Sequence, residues 1–135
     1  MKKRLITMLL VVLCLMTAMM PAAFADDANL YLFGTTEIQS DWLHGRTVTD
    51  LYVSNWGVYE VYYAMKDQND NLLGHGWIQP GNNLQFSNGS ITYQSSGATL
   101  FWNTWNYNSY ANITDIKFEM SCYAACDANG YIEVH

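Results

Sequence analysis

The chain has 135 residues, half of them hydrophobic and 15% aromatic, with six lysines and arginines against twelve aspartates and glutamates. Three of the six cations crowd at Lys2, Lys3 and Arg4, so the rest of the chain carries only Arg46, Lys66 and Lys117. So acidic a surface repels phosphate backbones and anionic lipid headgroups, which argues against nucleic-acid binding and against simple cationic attack on membranes.

Residues 1–25 read as a secretory signal peptide. Lys2, Lys3 and Arg4 form a positive start, residues 5–20 are an uncharged, largely apolar run, and Pro21 breaks it. Ala23-Phe24-Ala25 then offers a small-x-small cleavage site before Asp26-Asp27. An uncleaved anchor is the competing reading, since about 20 apolar residues can cross a bilayer. The cleavage site and the abrupt acidic start favour removal, leaving residues 26–135 as a single extracellular domain with no stable membrane span. Removal also discards Cys14 and leaves Cys122 and Cys126 in an oxidising compartment, where one short disulfide is expected.

From there the chain reads as short strands separated by turns. Residues 29–38 have strand composition interrupted at Gly34, and residues 39–46 are a polar connection carrying Trp42 and His44. Residues 47–53 alternate, with Thr47, Thr49, Leu51 and Val53 on one face and Val48, Asp50 and Tyr52 on the other. Ser54-Asn55-Trp56-Gly57 reads as a turn. Residues 58–66 and 72–78 are rich in β-branched and aromatic side chains and are joined by the polar loop 67–71. Pairing Lys66 with Leu72 sets Met65 opposite Leu73, Tyr63 opposite His75 and Val61 opposite Trp77, all facing the core. In that register His75 is a core histidine, and Tyr62 covers Gly76 on the other face.

Residues 84–87 and 90–93 flank Asn88-Gly89, whose tolerance of positive φ suits a type I′ hairpin turn. The expected pairs are Phe86 with Ile91 and Leu84 with Tyr93. Residues 99–107 follow as a strand, with Phe101, Trp105 and Tyr107 on one face and Leu100 and Trp102 on the other. Residues 113–122 alternate strictly: Ile116, Phe118, Met120 and Cys122 point one way and Asp115, Lys117, Glu119 and Ser121 the other, as in a half-exposed antiparallel strand. A turn over Asp127-Ala128-Asn129-Gly130 precedes the last strand, residues 131–134.

The cysteines test that ending. Four residues of continuous strand span about 13 Å, whereas a disulfide needs its Cα atoms within about 7 Å. Either residues 122–126 bend and the bond forms, or the strand continues and both thiols stay free; secretion favours the bend. Eight or nine short strands without an amphipathic helix predict an all-β fold, a small antiparallel β-sandwich of immunoglobulin-like or jelly-roll-like type. A small β-barrel is the alternative.

Candidate chemistry is sparse. Asp67, Asn69 and Asn71 begin like a calcium loop, but Leu72 stands where the loop needs glycine and Ile78 where it needs a bidentate glutamate. A plain hairpin loop is expected there, and no metal. His44, His75 and His135 are dispersed, and no nucleophile elbow, acid–base pairing or phosphate loop occurs, so neither catalytic residues nor a cofactor are expected. The minority reading of His75 is a pH-sensitive group. Aromatics remain: residues 102–110 (WNTWNYNSY) interleave rings with amides. Rings present an apolar face to a sugar and amides reach its hydroxyls. Trp42, Trp56, Trp102 and Asn103 are therefore the candidate binding residues, with the three indoles expected at the surface. The bland reading is that a sandwich core buries one ring-bearing face and loops cover the other.

Residues 61–67 (VYYAMKD), the Asn/Asp turn after them, Pro80-Gly81 and Phe86 together resemble the FxLYD-type immunoglobulin-like modules of secreted bacterial proteins. The resemblance covers about a quarter of the chain; it implies a sandwich without catalytic residues and transfers no binding site. The expected function is a non-catalytic binding module outside the cell, with a surface glycan or protein as partner. A secreted toxin, bacteriocin or inhibitor is one alternative, and a self-associating matrix protein that pairs strand edges is another.

Overall fold

The computed structural model of the chain describes residues 25–103 and 112–135. Nearly all of the expected signal peptide therefore lies outside the described residues, as do Trp105 and Tyr107. Among the described residues the chain forms eleven strands and no α-helix. They are β1 (Asp26–Phe33), β2 (Glu37–Gln39), β3 (Leu43–His44), β4 (Val48–Asn55), β5 (Val61–Asp67), β6 (Leu72–Ile78), β7 (Asn83–Ser87), β8 (Ser90–Gln94), β9 (Phe101–Trp102), β10 (Asp115–Cys122) and β11 (Asp127–Val134). Eight of these have five residues or more, and they are the strands that carry the fold.

The strands form two antiparallel sheets packed face to face, the small β-sandwich expected from the strand spacing. One has five strands in the order β1-β11-β4-β7-β8; the other has six, β2-β10-β5-β6-β9 with β3 beside β10. The chain changes sheets at the bend after β1, where Gly34 takes φ +66° and its N–H donates to the Cys126 carbonyl. Between the sheets lie Leu30, Leu32, Leu51, Val53, Leu84, Ala128 and Ile132 from one side and Val61, Tyr63, Met65, Ile78, Phe118 and Met120 from the other. Each fully buried large side chain contributes about 1.5–3 kcal/mol. Glycine permits the closest approach: a Cβ on Gly130 would lie 2.6 Å from both the Met120 sulfur and the Phe118 ring. Tyr63 is buried with its hydroxyl donating to the Thr99 carbonyl at 2.5 Å, and burial pushes its pKa upward.

Strand β10 behaves as its alternation requires, with Ile116, Phe118 and Met120 buried. Elsewhere three β-bulges correct the expected registers. In β4, pairs run Val134–Val48 and then Glu133–Asp50, so Thr49 is extra and Val48 turns inward. In the β7–β8 hairpin, Phe86 pairs with Ile91 as expected, but Tyr93 pairs with Gln85 and Leu84 with Gln94, leaving Thr92 as the extra residue. Asn88 and Gly89 both take positive φ, as a type I′ turn demands.

The third bulge matters most. Lys66 pairs with Leu72 as read, but Met65 then pairs with Gly74, Tyr63 with Gly76 and Tyr62 with Trp77. Leu73 is the extra residue, and one inserted residue moves every later side chain to the other face. His75 and Trp77 thus point outward, opposite to the expectation that they face the core. The inward positions fall to Gly74 and Gly76, where there is no room for a side chain: a Cβ on Gly76 would lie 1.8 Å from the Thr99 carbonyl oxygen.

The C-terminal end needs a further correction. Residues 127–130 are not a turn but the first half of β11, paired with β1 on one side and β4 on the other. Asn and Gly there serve the strand, Gly130 by admitting Phe118 and Asn129 by facing outward. Residues 122–126 do bend: the Cys122 and Cys126 Cα atoms lie 6.4 Å apart and the two cysteines form a disulfide. The bend is pinned by N–H bonds from Cys122 to Thr36 and from Cys126 to Thr35.

Candidate binding faces

The structure scatters the four candidate binding residues. Trp42 lies beside β3 with the Lys117 ammonium 4.4 Å over its ring, a cation–π contact on the six-stranded sheet. Trp102 is not an exposed ring: β9 turns it toward the core, 5.3 Å from the Phe86 ring, and sends Phe101 outward instead. Asn103 is held against β6, its amide donating to the Leu72 carbonyl at 3.1 Å. Trp56 and Trp42 are at the surface as expected, 68% and 40% exposed.

What surrounds Trp56 is set by the strands of the five-stranded sheet. Alternation in β1 buries Leu30 and Leu32 and turns Tyr31 and Phe33 outward, 58% and 64% exposed. Their ring planes are parallel to within 3°, with centroids 5.7 Å apart. Tyr31 pairs with Asn129 and Phe33 with Asp127 on β11, and Asn129 pairs in turn with Ser54 on β4. Trp56 leaves the end of β4, so its indole and the β1 rings flank β11 from either side. The β1 and β4 backbones lie two interstrand spacings apart, about 10 Å.

Hydrogen bonds fix the polar floor between them. The Asn129 side-chain carbonyl accepts from the Ser54 hydroxyl and from the Trp56 indole N–H at 3.4 Å. The Tyr31 hydroxyl donates to the Asp127 carboxylate at 3.2 Å, and the Trp56 backbone N–H donates to the Asp127 carbonyl at 2.8 Å. Buried Asn55 locks the turn that aims the indole. Its amide donates to the Tyr59 and Ile78 carbonyls, and its oxygen accepts from the Gly57 N–H, so every polar atom of the side chain is used.

Beyond this end the same face continues as cross-strand rows. Asn29, Tyr131, Tyr52, Gln85 and Tyr93 pair in sequence across all five strands, and Asp27, Glu133, Asp50, Ser87 and Ser90 form the next row. Rings and amides therefore share one surface, edged by carboxylates, and none of the five strands contains a lysine or arginine. The Glu133 carboxylate accepts from the Tyr131 hydroxyl at 2.8 Å and contacts the His135 ring at 3.0 Å. These contacts, that to His135 first, hold its pKa below the ordinary value; the Tyr131 pKa is pushed up to about 12, first by that hydrogen bond and then by burial.

The six-stranded sheet presents a different outer face. Tyr62, His75, Trp77 and Phe101 cluster there, with centroids 5.2–6.3 Å apart between neighbouring rings. Beside them the cations are engaged, Lys66 with Glu119 at 3.1 Å and Lys117 with Trp42. His44 bonds Asp115, whose pKa is lowered by its Thr114 hydrogen bond first and by His44 next.

The calcium-like loop closes on itself. The Asp67 carboxylate is buried and accepts from the Asn69 N–H, the Asn71 N–H and the Asn71 amide, each at 2.9 Å. Those donors fill the place a cation would take, and no cluster of three or more metal-ligating side chains occurs among the described residues. Nor is any described helix long and apolar enough to cross a membrane.

Tyr31, Phe33 and Asn129 were missed as site residues. The signal for the rings was present in the alternation of residues 29–33, Leu30 and Leu32 against Tyr31 and Phe33. For Asn129 it was hidden, because Asp-Ala-Asn-Gly has the composition of a turn.

Comparison with known proteins adds little. No family model matches the chain, and no curated protein does. Among solved structures it is similar to the SPBc2 prophage-derived protein YomS, at 13% identity, over 83% of this chain and 96% of that one, with a TM-score of 0.34.

Proposed function

We propose that the chain is exported and acts outside the cell as a non-catalytic carbohydrate-binding module, using the outer face of the five-stranded sheet. The observation that carries this reading is the arrangement at its end: three exposed rings, Trp56 on one side and Tyr31 and Phe33 on the other, across a hydrogen-bonded floor of Asn129, Ser54 and Asp127. Rings supply apolar area to a sugar face, and the floor supplies acceptors and donors to its hydroxyls. Charge narrows the ligand. Asp27, Asp50, Asp127 and Glu133 point outward with no cation among these strands, so the partner is a neutral polysaccharide rather than an anionic one. Affinity electrophoresis through gels of neutral glucan, xylan or mannan tests this, with polygalacturonate as the anionic control. The parent is retarded in at least one neutral gel, and Trp56→Ala loses most of that retardation. Retardation by polygalacturonate alone, or none in any gel, would overturn it.

Self-association through a strand edge is the second reading, and one observation favours it. All five residues of the edge strand β8 are exposed and none is charged or proline, so its unpaired backbone is open to a second chain. Sedimentation over a hundredfold concentration range tests it; a constant coefficient excludes it.

A further inference from the structure

We infer that the cluster of Tyr62, His75, Trp77 and Phe101 on the six-stranded sheet is a second carbohydrate-binding site, so that one module holds two glycan chains on opposite faces. The inference rests on the reading of the five-stranded sheet as a glycan-binding face.

Three observations carry it. The first is an orphan: the His75 Nδ1 is buried yet has no hydrogen-bond partner among the described residues. Buried polar atoms are nearly always paired, and the missing partner here is one that a hydroxyl-bearing ligand would bring. The second is the covering of that nitrogen. Phe101 and Trp77 lie against the imidazole, with centroids 5.6 and 5.2 Å away, and are 52% and 37% exposed, so they are the rings a ligand would displace to reach it. The third is the rim. Glu60 and Gln79 flank Tyr62 and Trp77 and bond each other, and the Thr99 hydroxyl accepts from the Trp77 N–H at 2.9 Å. Apolar rings with a polar rim suit a sugar, which has one kind of surface on its ring faces and the other on its edge. Lys66 is paired with Glu119 nearby, and the Lys117 ammonium sits over the Trp42 ring. Stacked sheets lie about 10 Å apart and face opposite ways, so the two sites cannot share one chain segment and the module becomes a cross-linker.

Titration calorimetry of the parent with neutral hexasaccharides of glucose, xylose and mannose tests the proposal, alongside turbidity with the corresponding polysaccharide. The expected result is a stoichiometry of two for the sugar that binds, falling to one in Trp77→Ala and to one in the Tyr31→Ala/Trp56→Ala pair, with turbidity lost in both. Phe101→Ala is the companion variant should Trp77→Ala fold poorly. A stoichiometry of one that Trp77→Ala and Phe101→Ala leave unchanged overturns the second site while sparing the first. Loss of all binding in Trp77→Ala, with none lost in the Tyr31/Trp56 pair, overturns both assignments. Failure of the parent to bind any of the sugars also overturns both.

Discussion

On the outer face of the five-stranded sheet, Tyr31, Phe33 and Trp56 flank an amide that bonds Trp56 and a carboxylate that bonds Tyr31; on the six-stranded sheet, Tyr62, Trp77 and Phe101 lean on one another around His75. The first arrangement is ordered before any ligand arrives, because the Ser54 hydroxyl and the Trp56 indole both bond the Asn129 carbonyl and the Tyr31 hydroxyl bonds the Asp127 carboxylate. The second satisfies its apolar surface by ring–ring contact and leaves the His75 Nδ1 without a partner among the described residues. Preorganisation lowers the ordering cost of binding, so the first face is expected to bind tightly and the second weakly. The sandwich between them serves both.

That shared dependence is the easiest part to break. Phe118→Ala removes a ring buried between the sheets and should cost about 3–5 kcal/mol in chemical denaturation, collapsing both faces together. Asp67→Ala acts on the six-stranded sheet first. It strands three donors in the β5–β6 loop and should cost about 2–3 kcal/mol. Calcium should not shift the melting temperature of the parent, since the carboxylate is already engaged. Asn55→Ala separates the two faces. It removes the three hydrogen bonds of a buried side chain, costs about 2 kcal/mol, and frees the turn that aims Trp56, so glycan affinity should fall along with stability.

Trp56→Ala sharpens the contrast further. An exposed ring changes stability by about 0.5 kcal/mol or less, while losing its contact should weaken binding about tenfold, equivalent to about 1.4 kcal/mol. Trp42→Ala, on the other sheet, should leave that binding unchanged. The smallest effect is acidity. Asp115 and Glu133 both have lowered pKa values in the folded chain, so their contribution is intact above the unfolded value of about 4 and is lost as pH falls through the folded one. Thermal melts should therefore be flat across neutral pH and decline below about pH 4, less so in Asp115→Asn and Glu133→Gln.

How much of this could be read beforehand depended on whether a strand ran without a bulge. β10 could be read in full, because period-two alternation over eight residues has one solution. The Asn88-Gly89 turn was legible for the same reason: few dipeptides accept two positive φ angles. The faces of His75, Trp77, Val48 and Tyr93 were not legible, since each lies beyond a single extra residue, at Leu73, Thr49 or Thr92, that alternation does not announce. Trp102 was misread because its partner across the sheet is Gly74, whose empty inward position only the bulge creates. Of the candidate site, Trp56 was found from its exposed turn and its neighbours were not. Tyr31 and Asp127 are 96 residues apart and Trp56 and Asn129 73, and the pairing of β1, β11 and β4 with these hydrogen bonds brings them together.

The most direct test of the account follows the indole N–H signals by NMR during titration with a neutral oligosaccharide, with Trp56 assigned by Trp56→Phe. The Trp56 resonance should move at the lowest ligand concentrations, because its N–H points at the Asn129 carbonyl on the floor of the site, while that of Trp42 stays fixed under its lysine. A Trp56 resonance that stays fixed while the other indoles shift to saturation would contradict it.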